Sequence, residues 1–400
     1  MADKRDFISI DDFSNEEVEV LFVIADKMNQ LLHRSHGVLA GHLMGSLFLE
    51  PSTRTRLSFE AAMNRLGGRV ITMSDLAASS FTKGESLADS VRIVSSYTDI
   101  LVLRHPHAGA ARLAAQYAPI PVINAGDGGH EHPTQTLCDL YALRQTKGRL
   151  SDLRVIIYGD LKYGRTTHSL VKALSRFGNH VLCISEPGLG LPAYVREHLN
   201  NMPQVEERVV SVRDHSAVFS GGEYEALLFT PDPASCPLVG STMNLDDASF
   251  DAIYVTRLQR ERLRGQDSGR GTALPPVDAR FLSHGAFEEA VVLHPLPRVD
   301  EIAPEVDGDP RSFYFRQAAL GVPVRMALVS FLLGHEMMRV SRAPGREEFE
   351  HDENRCSNPN CVISVEGDYL AQRVWKDADG RRNCVFCDET MPIDEAAEER

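Results

Sequence analysis

The sequence lacks the features of several common protein classes. Its 400 residues carry a formal net charge of -14, whereas nucleic-acid binding draws its affinity from many Lys and Arg contacts with phosphate. The N-terminal segment has no apolar core of about 7 to 15 residues, which a signal peptide needs, and no apolar run elsewhere reaches the length of a membrane helix. We therefore expect a cytoplasmic protein that binds neither nucleic acid nor a membrane.

Two common phosphate-binding motifs are also absent. The chain contains no G-x-x-x-x-G-K-[ST] loop, and the turn YGDLKYGR is too poor in glycine for the dinucleotide fingerprint G-x-G-x-x-G. Cysteine is scarce before residue 350: Cys138, Cys183 and Cys236 are scattered through periodic segments and are predicted to be buried apolar residues. The other four of the seven cysteines lie near the end of the chain.

Apolar runs alternate with amphipathic segments through most of the chain. Runs at 42–50, 99–104, 121–126 and 153–160 read as strands, and Phe59, Ala62, Met63 and Leu66 have helical spacing. Strands that alternate with helices indicate parallel sheets, so the predicted class is α/β with two doubly wound parallel-sheet domains. The predicted division is 1–148, 149–290, a closing segment 291–340 with a helix over 325–338, a polar linker 341–355, and a small C-terminal β zinc-binding domain 356–400.

Residues 50–60, EPSTRTRLSFE, place hydroxyls and arginines at a predicted helix start. Unpaired N–H groups and a partial positive charge occur there, so Ser52, Thr53, Arg54 and Thr55 could form an anion pocket, with phosphate as the natural guest. A hydroxyl helix cap beside a solvated arginine explains the same residues, and the residues alone leave both interpretations open.

Four further clusters carry polar residues at predicted loops or strand ends. Ser79 and Lys83 lie in a Gly-containing loop, which by itself is typical of a surface loop. Arg104 ends an apolar strand, where α/β proteins bind ligands. His132 precedes Pro133, which favours a helix start that also contains Gln135, and Arg165 lies in the turn after another strand.

Six segments together resemble the catalytic chain of the aspartate carbamoyltransferase family: EPSTRTRLSFEAAMNRLGG, KGESLADS, HPTQTLCDLYAL, GDLKYGRTTHSL, TRLQRER and LHPLPRVDEIA. The likeness runs from about residue 6 to 339 and weakens between 184 and 254. Ornithine carbamoyltransferases share some of these elements but typically carry a cysteine in H-C-L-P, where this chain has His294, Pro295, Leu296 and Pro297.

The resemblance implies two anionic substrates, carbamoyl phosphate and L-aspartate, and no cofactor for catalysis. It implies that the amine of aspartate attacks the carbamoyl carbon while Thr55, Arg104 and His132 stabilise the carbonyl oxygen. Because the sequence offers no obvious carboxylate base, we hypothesise that the leaving phosphate accepts the amine proton. It also implies a homotrimer, or a multiple of trimers, whose sites are shared because the loop with Ser79 and Lys83 enters the neighbouring subunit. The residues matched to carbamoyl phosphate are Ser52, Thr53, Arg54, Thr55, Ser79, Lys83, Arg104, His132 and Gln135; those matched to aspartate are Lys83, Arg165, Arg257, Gln259 and Leu296.

The C-terminal cysteines form C-x4-C and C-x2-C pairs separated by 22 residues. Cys356, Cys361, Cys384 and Cys387 match a closed tetrahedral zinc site, which would be structural because no position remains for water. Disulfides and a nucleic-acid-binding finger are the alternatives. The C-terminal segment resembles the zinc domain of the separate regulatory chain of the enteric aspartate carbamoyltransferase, and here it is fused to the catalytic chain. The nucleotide-binding domain of that regulatory chain has no counterpart in this sequence. Little response to CTP or ATP is therefore expected.

Two segments depart from the family pattern or have no assignment, 221–247 and 264–276. Two other functions stay open: a carbamoyltransferase for ornithine or another amine, and a catalytically idle relative kept as a scaffold.

Overall fold

The computed structural model describes residues 4–32, 37–74, 84–199, 202, 204–209, 249–260, 274–334, 350–351, 355–366, 370–377 and 380–391. The chain forms two compact units, one of Met1–Thr134 with Gly321–Arg400 and one of Gln135–Leu320. The predicted boundaries at 148, 290, 340 and 355 do not coincide with this division and stay predictions.

The first unit contains a four-stranded parallel sheet with strand order β2-β1-β3-β4. Its inner strands are apolar on both faces, as expected for a parallel sheet covered by helices, and the strands predicted at 42–50, 99–104 and 121–126 are confirmed. The strand order reverses between β1 and β3, and ligands bind at such reversals beside the carboxyl ends of the strands. The strands are β1 Leu43–Phe48, β2 Arg69–Met73, β3 Ile100–His105 and β4 Val122–Asp127.

Helices of the first unit follow from caps and apolar spacing. Ser14 and Glu17 form a reciprocal capping box at the start of α1. The predicted helix with Phe59, Ala62 and Met63 on its inner face is confirmed, since all three side chains are buried. The helices are α1 Asn15–Gln30, α2 Arg54–Arg65, α3 Leu87–Ser95 and α4 Ala110–Tyr117.

The second unit is built around a five-stranded parallel sheet with strand order β7-β6-β5-β8-β9. The order reverses between β5 and β8, and stacked rings of Phe250, Phe281 and Phe287 fill part of the core. Cys138 and Cys183 are buried as predicted, while Cys236 lies outside the described residues. The elements are α5 Pro133–Lys147, β5 Arg154–Tyr158, α6 Arg165–Arg176, β6 His180–Ser185, α7 Ala193–Leu199, β7 Val205–Val209, β8 Ala252–Val255, α8 Ala279–Leu282 and β9 Val291–Leu293. A further helix, α9 Tyr314–Leu332, begins in the second unit, and its residues from Gly321 onward belong to the first.

The helix α9 corrects two expectations. It begins at Tyr314 rather than at 325 and contains Pro323, while 335–338 lie outside the described residues. Among the described helices it is long and apolar enough to cross a membrane, so the expectation that no run has that length was wrong. Of its most apolar 18-residue stretch, 61% is buried within the molecule, as in a helix that belongs to a protein core.

The first unit also contains the C-terminal residues, which form a small antiparallel sheet. Val374 and Phe386 share one buried apolar cluster with Leu49, Leu103 and Leu113 of the parallel-sheet part of this unit. The C-terminal part is therefore packed on β1, β3 and α4 rather than tethered by a linker alone. Its elements are β10 Glu350–His351, α10 Val362–Val365, β11 Arg373–Lys376 and β12 Arg382–Cys384.

Candidate functional site

The predicted phosphate turn lies between β1 and the start of α2. Thr53 and Arg54 are exposed, Ser52 is half-buried and Thr55 is buried. Thr53 occupies the N-cap position, but its side chain makes no capping hydrogen bond, so the interpretation of its hydroxyl as a helix cap is wrong. The helix start therefore combines its own partial positive charge with an exposed guanidinium, which suits a phosphate.

Arg104 lies beside this turn because β1 and β3 are neighbours at the point where the strand order reverses. Phe48 and Arg104 are register partners, and the Leu49 N–H donates to the Arg104 carbonyl at 2.8 Å. The guanidinium pairs with Glu50 at 3.0 Å and donates to the Ala125 carbonyl at 3.4 Å. The sheet thus places the strand-end arginine beside Glu50, two residues before Ser52.

His132 follows β4 in a loop organised by Asp127. His132 is buried, and its Nδ1 lies 3.4 Å from the Thr134 hydroxyl. The Asp127 carboxylate accepts hydrogen bonds from the N–H groups of Gly109 at 2.7 Å and Glu131 at 3.2 Å. Sequence reasoning missed Asp127, although a carboxylate that ends an otherwise apolar strand is itself a signal.

Three of the sequence predictions fall wholly or partly outside the described residues. Ser79 and Lys83 belong to 75–83, and neither their position nor their partners can be compared with the prediction. The segment 221–247 and most of 264–276 are outside as well. The shared-site hypothesis therefore stays a prediction.

In the second unit, a buried carboxylate orients Gln135. The Gln135 amide nitrogen donates to Asp139 at 2.7 Å, so the side-chain oxygen is the atom left to face a ligand. Asp139 also accepts from Gln317 at 2.6 Å and from the Tyr254 hydroxyl at 2.9 Å. Burial and the neighbouring carboxylate raise the pKa of Tyr254 well above its usual value, so the phenol stays protonated and donates.

The predicted aspartate-binding arginines follow β5 and β8, the two strands between which the order of the second sheet reverses. Arg165 is the first residue of α6 and is largely buried, and Arg257 follows β8. The buried Asp160 links their loops, because its carboxylate accepts the N–H of Tyr163 at 2.9 Å and that of Gln259 at 3.0 Å. Asp160 was not predicted, although it directly follows an apolar strand.

Arg257 and Gln259 are held together in the β8 loop. The Arg257 guanidinium donates to the Gln259 side-chain oxygen at 3.1 Å and to the Leu258 carbonyl at 3.2 Å. Close approach of the two loops requires Gly159, which has φ of 127° and whose added Cβ would lie 2.2 Å from the Thr256 carbonyl oxygen. The structure thus brings Arg165, Arg257 and Gln259 onto two adjoining strand ends.

Leu296 is the last of the five residues matched to aspartate. It has a positive φ of 54° and precedes a cis bond to Pro297. Its N–H donates to His294 Nδ1 at 2.7 Å, while His294 Nε2 lies 2.7 Å from the Glu301 carboxylate. The ring is therefore held in the tautomer that carries its proton on Nε2.

One series of hydrogen bonds joins Gln135 to Leu296 within the second unit. The Gln317 oxygen accepts the His294 N–H at 2.9 Å, and the Gln317 amide donates to Asp139. Gln135, Asp139, Gln317, His294 and Leu296 consequently form an unbroken path whose three middle members are buried. The same interior groups therefore hold Gln135 and the backbone of Leu296, which are two of the predicted ligand contacts.

The four C-terminal cysteines converge in the first unit. All four thiols are buried and free, and their sulfurs lie within 4.8 Å of one another. The Cys356–Cys387 and Cys361–Cys384 sulfur distances are 3.5 and 3.9 Å, too long for disulfides of about 2.05 Å. The Gln372 amide donates to the Cys384 sulfur at 3.5 Å. The cluster can hold one metal ion.

Two protein-family models match this chain. The family model described as "Aspartate/ornithine carbamoyltransferase, carbamoyl-P binding domain" matches residues 5–145, and the one described as "Aspartate/ornithine carbamoyltransferase, Asp/Orn binding domain" matches 243–332. The chain belongs to the aspartate/ornithine carbamoyltransferase family. Both family matches end before the four cysteines, so the C-terminal part of the chain lies outside them.

Several similar relatives and solved structures are named as aspartate carbamoyltransferases. It is 43% identical to the aspartate carbamoyltransferase catalytic subunit of Clostridium kluyveri, over 84% of this chain and 99% of the relative. The Thermococcus onnurineus catalytic subunit is 45% identical, over 82% and 97%. The M. jannaschii catalytic subunit structure has a TM-score of 0.66 at 40% identity, covering 82% and 98%.

A further carbamoyltransferase structure contains both substrates. The Trypanosoma cruzi aspartate transcarbamoylase in complex with carbamoyl phosphate and aspartate has a TM-score of 0.62 at 32% identity, covering 82% of this chain and 96% of that chain. The family models and these relatives confirm the family resemblance inferred from the six segments.

Proposed function

We propose that the chain transfers the carbamoyl group of carbamoyl phosphate to the α-amine of L-aspartate, giving N-carbamoyl-L-aspartate and phosphate. The observation that carries this proposal is the position of the arginines in a protein of net charge -14. Arg54 and Arg104 lie at the strand-order reversal of the first sheet, and Arg165 and Arg257 lie at that of the second. Each sheet thus offers cations for one anionic substrate.

The carbamoyl-phosphate half consists of Ser52, Thr53, Arg54, Thr55, Arg104, His132 and Gln135, with Ser79 and Lys83 proposed from the resemblance. The helix start and the guanidinium of Arg54 would hold the phosphate, since both attract anions and N–H donors suit phosphate oxygens. The fixed orientation of Gln135 leaves its oxygen to accept from the carbamoyl NH2 group.

The aspartate half consists of Arg165, Arg257, Gln259, the backbone of Leu296 and Lys83. Arginine forks match carboxylates with two parallel hydrogen bonds, which a lysine cannot do. Two arginines fit a dicarboxylate, whereas ornithine carries a second amine and would meet the same cations unfavourably. The charge of the half-site therefore favours aspartate over ornithine.

In the proposed reaction the uncharged amine attacks the carbamoyl carbon, a C–N bond forms, and the bond to phosphate oxygen breaks. Thr55, Arg104 and His132 stabilise the negative charge on the carbonyl oxygen; loss of one such donor typically costs about 2.7 to 4 kcal/mol. The leaving phosphate accepts the amine proton. Holding two anions together is a proximity effect worth up to roughly 7 to 11 kcal/mol.

The test is a carbamoylation assay with aspartate, ornithine and putrescine under identical conditions. We expect product with aspartate alone, and loss of that product in Arg54→Ala. Product with ornithine but not aspartate would replace the proposal by the ornithine activity. A folded protein without product from any amine would favour the idle scaffold.

We propose that the four cysteines hold a structural zinc ion. A tetrahedral ion with Zn–S bonds of about 2.3 Å separates its sulfurs by about 3.8 Å, and the sulfur separations of 3.5 and 3.9 Å in the structure support this proposal. Cys356, Cys361, Cys384 and Cys387 would bind it as thiolates and leave no position for water, so the ion would stabilise the fold without taking part in catalysis.

The assembly and the compartment remain proposals from sequence. A homotrimer with shared sites rests on the family resemblance of the loop that contains Ser79 and Lys83. A cytoplasmic location is proposed from the composition of the chain and from four free thiols that suit a reducing compartment.

A further inference from the structure

The cysteine unit, defined as residues 355–366, 370–377 and 380–391, contacts loops that lead to the predicted carbamoyl-phosphate residues. Its Glu366 carboxylate accepts the N–H of Leu87 at 3.1 Å, at the start of α3. The Ala108 N–H donates to the Asn360 carbonyl at 3.0 Å, and the Ala108 carbonyl accepts from Val362 at 2.8 Å. Ala108 lies four residues after Arg104, so the cysteine unit is hydrogen-bonded to the loop that follows this arginine.

Contact at this loop is too close for any side chain. Gly109 has φ of 82°, and an added Cβ would lie 2.5 Å from Phe386 Cβ and 2.6 Å from its carbonyl oxygen. The N–H of Gly109 donates to Asp127 at 2.7 Å, which ties this loop to the loop that carries His132. Movement of Phe386 would therefore be transmitted to both loops.

A buried histidine completes the connection. His130 is 6% exposed, and its ring nitrogens lie 3.3 Å from Asp127 and 3.3 Å from Asp388 of the cysteine unit. The second Asp388 oxygen accepts from the Trp375 indole at 3.0 Å. Burial alone would lower the pKa of His130, but the Asp127 and Asp388 carboxylates raise it to about 10, so the charged ring bridges them.

We propose that His130 is a positioning residue through which the cysteine unit fixes the loop of His132. Asp388 directly follows Cys387 in the chain, so a metal ion held by the four sulfurs fixes the carboxylate that anchors His130. His130 precedes His132 by two residues. Metal loading of the cysteine unit then sets the geometry of the carbamoyl half of the reaction, while the aspartate half stays unaffected. This inference rests on the proposed function for the role of His132.

The first test compares His130→Asn with His180→Asn in the full-length chain. His180 is an exposed residue at the start of β6 and serves as the matched control. Zinc content, hydrogen exchange of residues 127–132 and emission of Trp375, the single tryptophan, are measured together with kinetics. We expect His130→Asn to retain zinc, to exchange faster at 127–132 and to change the Trp375 emission.

The kinetic expectation is specific to one substrate. Misplacement of a contact by about 1 Å can lower a rate up to about 100-fold, so kcat/KM for carbamoyl phosphate should fall about 10- to 100-fold in His130→Asn. The KM for aspartate and all values of His180→Asn should stay within a factor of about two. A purely structural role would lower thermal stability without this separation between the substrates, and that result would overturn the proposal.

Reversible metal removal provides the second test and does not depend on the folding of a variant. Chelation of zinc from the wild-type chain should raise hydrogen exchange at 127–132, and added Zn2+ should restore protection. Unchanged exchange at 127–132 after complete removal would overturn the proposal. If the wild-type chain made no carbamoyl aspartate, the proposed function would fail, whereas the exchange result would still decide the link between the cysteine unit and this loop.

Discussion

Replacement of Asp160 by Asn should weaken aspartate binding selectively. Asp160 is 2% exposed, and its two oxygens accept the N–H groups of Tyr163 and Gln259 at 2.9 and 3.0 Å. Asparagine offers one oxygen and one NH2 group, so one of the two N–H groups loses its acceptor. Loss of a hydrogen bond to a charged group costs about 1.5 to 3 kcal/mol.

If that cost falls entirely on the aspartate-bound state, the KM for aspartate rises about 10- to 150-fold, because 1.4 kcal/mol is about a factor of ten. The part that falls on the free protein should appear as a lower midpoint of thermal unfolding. The assay varies aspartate at saturating carbamoyl phosphate and then reverses the roles. The exposed Asp152→Asn is the matched control. A folded Asp160→Asn protein with wild-type aspartate KM and stability would refute the assignment of Asp160 as the link between the two loops.

Three further predictions follow from other residues. Asp139→Asn should lower stability by about 1.5 to 3 kcal/mol, since asparagine keeps one oxygen and at least one of the donors Gln135, Gln317 and Tyr254 loses its charged acceptor. Denaturant unfolding would measure the change; a loss below about 0.5 kcal/mol would contradict it. Mixed Arg54→Ala and Lys83→Ala chains should regain carbamoylation if sites are shared, and an inactive mixture after subunit exchange would argue against sharing. Burial alone would raise the pKa of Glu301, but the hydrogen bond from His294 lowers it. The stability that the ionised Glu301 contributes is therefore complete above the ordinary carboxyl pKa and is lost as pH falls through the lowered pKa. Glu301→Gln should abolish this part of the dependence of stability on acid pH.

Elements with strong local patterns could be predicted from the sequence. The apolar runs at 42–50 and 153–160 became β1 and β5, because long apolar segments flanked by turns have few alternatives in a parallel sheet. The apolar runs predicted Arg104 at a strand end, where α/β proteins bind ligands, and Arg165 in the turn after another strand. The start of α9 was missed, since its apolar composition gives no amphipathic boundary and Pro323 lies inside the helix.

Interior polar residues could not be predicted by the same reasoning. Asp127, Asp139 and Asp160 each have at least one partner distant in sequence, and a single carboxylate in an apolar run does not reveal which donors it will meet. The contact between His130 and Asp388 joins residues 258 positions apart. Such contacts depend on how the cysteine unit packs on the rest of the first unit. The spacing of the cysteines in the sequence does not reveal this packing.

The most direct measurement is a crystal structure of the full-length chain bound to a bisubstrate analogue that joins a phosphonate to L-aspartate. We expect the guanidinium groups of Arg54 and Arg104 to contact the phosphonate and carbamoyl-like oxygens, and those of Arg165 and Arg257 to contact the carboxylates. An ordered analogue whose phosphonate or carboxylates met none of these arginines would contradict the proposed function.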